Sequence, residues 1–154
     1  MPPGESRMHL ANTLAMLNAV ILTKHLLVLV IVSATLQWLF GAVWYGLIFK
    51  KSWTRFAGVA RGEKAGNPFF AWGSFLVACF LLSFALAHMV GWAGSSNFTG
   101  GSKIAIICWL GFMAPPLFTQ HIFENRRANL FAINACYWLL AMALGGGIMG
   151  AFHS

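Results

Sequence analysis

The chain has 154 residues, of which 59% are hydrophobic and 8% charged, and its net charge is +7. Soluble domains carry about a quarter charged residues, so this balance and a mean hydropathy of +0.74 exclude a water-solvated globule and point to lipid as the solvent. The positive charges stand in short stretches between long apolar runs, which argues against nucleic acid as a partner and makes basicity a signal of membrane topology.

Residues 1–5, with Pro2, Pro3 and Gly4, read as an extended lead-in. Between residues 6 and 22, Leu10, Leu14, Leu17 and Ile21 recur at helical spacing, with His9, Thr13 and Asn18 off that stripe. The pattern predicts a short helix lying on the outer membrane surface or docked on a partner subunit. Residues 1–25 are therefore set apart from a single membrane domain over 26–152.

About 20 apolar residues cross a bilayer core, and four such stretches occur, at 26–49, 69–92, 103–123 and 129–152. The runs are continuous and lack the alternation of barrel strands. Helices satisfy their own backbone in lipid, so the expected fold is all-α, an integral membrane four-helix bundle. Val32-Ser33-Ala34 loosely resembles a processing site, but the strongest positive cluster follows this run and a signal peptide wants the reverse order. The first run is read as a permanent helix. It ends in aromatics and then lysines, from Trp44 to Trp53, as a membrane boundary selects. Trp72 and Trp92 bracket the second run.

Lys50, Lys51, Arg55, Arg61 and Lys64 lie in one loop and Arg126 and Arg127 in another, against Arg7, Lys24 and Lys103 on the opposite side. The positive-inside rule then places both basic loops in the cytoplasm and both termini outside. Contact of these seven residues with anionic lipid is a secondary benefit. Residues 93–102, rich in Gly and Ser, read as an outer turn; the sequon at Asn97 is too short a pattern to carry a function.

In the third run Pro115 and Pro116 fall near mid-membrane. Each lacks an N–H and crowds the preceding turn, so a kink or break is expected, with Gly111 easing the ring clash. The carbonyls of Gly111 and Phe112 should lose their donors, and Thr119, Gln120 and Asn134 are candidates to replace them. The fourth run holds two small-xxx-small pairs, Ala141/Gly145 and Gly146/Gly150, spacing that lets helices approach closely; it marks a packing face for an internal or external partner.

Polar residues inside a membrane are functional candidates. Gln37, His88, Gln120, His121, Glu124 and Asn134 are the main ones. Glu124, beside Arg126 and Arg127, reads as half of an interfacial ion pair. His25, His88 and His153 fall at the outer ends of three runs, and imidazoles with nearby Met89 and Met149 suit copper. His88 alone, with Ala85 and Ala87 beside it, is also a candidate ligand for a chlorophyll-type pigment. Cys79, Cys108 and Cys136 stand singly and read as small apolar residues. The acidic residues are Glu5, Glu63 and Glu124, without aspartate, and hydrolase, phosphate-loop and metalloprotease motifs are missing, so catalysis is not expected.

Val43-Trp44-Tyr45-Gly46, followed by Phe49 and Trp53, together with the run from Gly111 to Thr119, Phe123-Glu124-Asn125-Arg126, Leu130, Asn134 and Tyr137, resembles the small bacterial membrane proteins of domain-of-unknown-function family 1761. The resemblance covers the four runs and omits the first twenty or so residues. Gly46-Leu47 stands where the family pattern leads us to expect a proline. The resemblance implies the architecture and a bacterial inner membrane, and carries no activity. Two functions stay open on these residues. One is a non-catalytic accessory or structural subunit of a larger membrane complex, respiratory or photosynthetic, or of a homo-oligomer. The other is a small transporter or metal- or small-molecule-binding protein, acting as an oligomer and using the Pro115–Pro116 break.

Overall fold

The computed structural model describes residues 3–56, 67–124 and 127–152. Helix α1 spans Pro3–Val43 and continues through a π turn, Trp44–Ile48, into the short α2, Lys50–Phe56. Helix α3 is Pro68–Trp92; α4, Phe98–Cys108, passes through a second π turn, Trp109–Met113, into α5, Ala114–Phe123; α6 is Ala128–Phe152. Among the described residues there is no strand. Four rods are long and apolar enough to cross a membrane: Lys24–Ile48, Pro68–Trp92, Phe98–Phe123 and Ala128–Phe152. The protein is an all-α bundle of four membrane-spanning helices.

Three boundaries differ from the sequence reading. The expected lead-in is already helical from Pro3, where a proline is tolerated because first-turn N–H groups are unpaired anyway. The N-terminal segment is helical as expected, but it runs into the first span as one rod of 41 residues. The third span starts at Phe98, five residues before Lys103, because the Asn97 side chain caps it by accepting from Gly100 N–H at 2.8 Å. Gly100 and Gly101 thus belong to a helix, and the Gly- and Ser-rich turn shortens to residues 93–97, where Gly94 takes a left-handed φ of +64°. Asn67 caps α3 in the same way, accepting from Phe69 N–H at 3.0 Å.

Helix α6 is the axis of the bundle and buries eleven residues. Its glycines settle the question of their partner: the seam is internal. A Cβ on Gly146 would strike the Ala105 side chain and the Gly101 backbone, and one on Gly150 would strike the Asn97 and Gly101 backbone. Gly145, beside the buried Ala141, turns toward α1, where a Cβ would meet Gln37 and Ser33. Small residues therefore let α6 approach α4 on one side and α1 on another, as small-xxx-small spacing does in lipid. Ser102 Oγ adds a hydrogen bond to Ala143 O at 2.9 Å across the α4–α6 contact. Apolar packing completes the bundle around Leu29, Val30, Ala87, Val90 and Met149 and around Leu86, Ala105 and Met142.

The third span is broken where the prolines predict, with the distortion lying just ahead of them. The π turn Trp109–Met113 hands Ala114 N–H to Trp109 O. In that register the residues five on from Leu110 and Gly111 are Pro115 and Pro116, which have no N–H to give. The extra residue in the turn moves the loss one position toward the N-terminus of what α geometry implies.

Candidate functional site

The side chain around which most polar and aromatic contacts gather is Tyr137, on α6, fully buried. Its hydroxyl donates to the Gln37 backbone carbonyl at 3.0 Å and lies 4.0 Å from Cys79 Sγ. Gln37 itself is fully buried, as are Ser33 and Ser83. Its Nε2 donates to Ser83 Oγ at 2.9 Å and to Ser33 Oγ at 3.1 Å, and Ser83 Oγ donates to Ser33 Oγ at 3.2 Å. Three spans thus meet through one hydrogen-bonded group, α1 supplying Ser33 and Gln37, α3 Cys79 and Ser83, and α6 Tyr137. Gly145 permits it, since any side chain there would occupy the place of the Gln37 amide. Gln37 Oε1 is buried and has no hydrogen-bond partner among the described residues.

On the side of the basic loops this centre is roofed by aromatic rings. Phe40 stacks on Tyr137 at 5.7 Å and 19°, Trp138 meets it edge-on at 5.0 Å, and Tyr45 and Phe75 lie at 5.1 and 5.7 Å. Offset and edge-on rings at these separations attract beyond simple burial. The π turn Trp44–Ile48 aims two consecutive aromatics at consecutive residues of α6: Trp44 Nε1 donates to Ile133 O at 3.2 Å, and Tyr45 OH donates to Asn134 Oδ1 at 3.2 Å. Asn134 was a candidate donor to the freed carbonyls of the third span. Its amide oxygen accepts from Tyr45, which leaves the donor role of its Nδ2 untouched, and Thr119 Oγ1 donates to Pro115 O at 2.8 Å, not to Gly111 or Phe112.

The other sequence candidates are dispersed. His88 Nδ1 lies 2.8 Å from Phe84 O, so this nitrogen donates to the carbonyl. The ring sits 4.5 Å from Phe84 and 6.0 Å from Trp92. His25 is exposed, and His153 lies outside the described residues. Among the described residues no three His, Cys, Asp or Glu side chains gather as a metal site would require. Met149 is buried in the core, while Met89 is exposed. Cys79 is buried, Cys108 half-buried and Cys136 exposed. Lys50, Lys51, Arg55 and Arg127 are exposed at one end of the bundle; Arg61, Lys64 and Arg126 lie outside the described residues. His121 stacks on Phe131 at 5.0 Å and 28°.

Sequence reasoning found Gln37 and missed its partners. Ser33 precedes Gln37 by four residues, a spacing that puts both on one helix face, and that was the available signal. Ser83 and Tyr137 come from elements distant in sequence, and only the assembled bundle joins them. Chemically the centre offers hydroxyls, a thiol and an amide, with no carboxylate or cationic side chain among the described residues that form it. Such a set holds helices in register more readily than it moves protons.

Each stretch that carries the family resemblance includes part of a π turn, and Trp44, Tyr45, Asn134 and Tyr137 from those stretches meet at the polar centre and its roof. No curated protein and no solved structure matches the chain. The model of the family described as protein of unknown function DUF1761 matches residues 28–150, and the chain belongs to that family.

Proposed function

We propose that this protein is a non-catalytic accessory subunit that packs in the membrane against a larger protein complex. The observation that carries this reading is the third span beyond its glycine contact. No residue of Trp109–Met113 or of Ala114–Phe123 is buried, and Phe112 is 73% and Phe123 84% exposed. A shallow, open depression lies along this stretch, lined by Met113, Pro116, Leu117, Thr119 and Gln120. Lipid covers apolar surface at no cost, but an exposed Gln120 in a distorted helix offers a partner a hydrogen bond that lipid tails cannot make. The polar centre supports the same reading, because its groups are mostly spent on one another.

The membrane placement that fits is a bacterial inner membrane with both basic ends of the spans in the cytoplasm and both termini outside. A photo-crosslinking amino acid at Phe112 in native membranes tests the subunit reading, with the same probe at Leu81, on the outward face of α3, as reference. The expected result is one discrete protein adduct at position 112 and only lipid adducts at 81. Lipid adducts at both positions, with a colourless single chain after mild extraction, would overturn it.

A further inference from the structure

We propose that two copies of this chain pair through the outward face of α1, as a parallel two-stranded coiled coil that begins within the bilayer and continues beyond it. Helix α1 has 41 residues, roughly 60 Å at the rise of an α-helix, twice the hydrocarbon thickness of about 30 Å. Its membrane-crossing part starts at Lys24, so some twenty residues project past it. Kinks in helices arise at proline, glycine or an inserted turn. From Glu5 to Phe40 the sequence has neither proline nor glycine, and α1 is one continuous α-helix over that stretch. The segment therefore follows the axis of the span out of the bilayer and does not fold back onto the membrane surface.

The sequence of this extension carries a heptad seam. Leu10, Leu14, Leu17 and Ile21 are spaced by four, three and four residues, the a/d alternation of coiled coils. Continued by the same rule, the seam reaches Lys24, Val28, Ile31 and Thr35. Leu14 is 52%, Val28 57% and Ile31 48% exposed, and Thr35 is exposed with its hydroxyl turned onto Ile31 O at 2.8 Å. At about 100° per residue, the exposed Leu14, Val28, Ile31 and Thr35 stand opposite the face that α1 gives to its own bundle, where Leu29, Val30, Ser33, Ala34 and Gln37 are buried. The bundle of the same chain leaves these four positions uncovered. Inside the bilayer lipid suffices. Beyond the bilayer it does not, and a leucine row in water calls for protein.

The uncharged character of the extension selects a second copy over an unlike partner. From Met8 to Thr23 there is no Asp, Glu, Lys or Arg. Unlike helices are matched, and like helices rejected, chiefly by charges flanking the seam; here Ala11 and Thr13, Asn18 and Val20 flank it. Identical faces meet without repulsion, and two chains inserted alike have their α1 helices already parallel. Lys24 interrupts the seam at the membrane boundary, where a long stem lets the ammonium reach the headgroups.

The test is mass photometry of the full chain in nanodiscs or mild detergent, on the native sequence, on Leu14→Lys/Leu17→Lys, and on Asn12→Lys/Ala19→Lys, which puts the same charges on the far side of the helix. Expected are two copies per particle for the native chain and for N12K/A19K, and loss of the pair for L14K/L17K. A native chain that is single, or two variants that behave alike, overturns the proposal. Oxidative cross-linking gives a check that does not depend on disruption. Leu17→Cys should link copies at least tenfold faster than Ala19→Cys, and equal rates count against a seam.

Discussion

Tyr137 shows how one residue ties separate spans together. Its hydroxyl ends on a main-chain carbonyl of α1 and its ring is enclosed by Phe40, Tyr45, Phe75 and Trp138. Replacement by Phe keeps the ring packing and removes only the hydrogen bond. Interhelical hydrogen bonds in membranes are worth about 1 kcal/mol, so Tyr137→Phe should lower stability by about that much, read from reversible unfolding in mixed micelles. A loss several times larger would mean that the hydroxyl supports the whole Gln37 group and not one bond. This centre was only partly legible in the sequence. A glutamine in an apolar run is conspicuous, whereas a serine there passes for a small packing residue. Ser83 stands 46 positions from Gln37 and Tyr137 stands 100, and no local pattern links residues so far apart.

At the scale of elements, glycine has opposite values in neighbouring helices. A Cβ on Gly101 would run into the carbonyl of Gly146, which is backbone and has no rotamer to yield. On Gly73 it would meet nothing within 4 Å. Gly101→Ala should therefore cost about 1–3 kcal/mol, as overpacking does, while Gly73→Ala should be neutral or gain up to about 1 kcal/mol from helix propensity. Thermal denaturation of the two variants side by side checks the contrast, and equal effects would refute the α4–α6 seam. The seam on α6 could be read from spacing alone, but its partner could not. Gly100 and Gly101 stand in a Gly- and Ser-rich stretch that reads as a loop until Asn97 is seen to cap a helix. The break in the third span was legible because proline chemistry is local. Its position ahead of the prolines follows from the residues whose carbonyls the missing N–H groups would have reached.

For the whole molecule, composition alone was enough to give four spans, since a membrane imposes length and apolarity on each. Orientation rests on where charge is placed. Lys50, Lys51, Arg55 and Arg127 stand exposed at one end, and the turn at residues 93–97 stands at the other. Ser95→Cys should accordingly react with a membrane-impermeant maleimide in intact cells, and Arg127→Cys only after permeabilisation. The reverse pattern would invert the topology and place the α1 extension in the cytoplasm.

The π turn at Trp109–Met113 divides the third span into mechanically unlike halves. One half is clamped to α6 by backbone-to-backbone contact at Gly101 and Gly146; the other contributes no buried residue to the bundle. The second half is held to α6 by ring contacts, His121 and Phe118 meeting Phe131, so the span is fixed at both ends with the distortion in the middle. A bilayer that thins is met by tilt, kinking or local thickening, and a π turn between two differently held halves is where this span would bend without disturbing the backbone contact at Gly101 or the polar centre. Any such bend would fall on the same surface where a neighbouring subunit would sit.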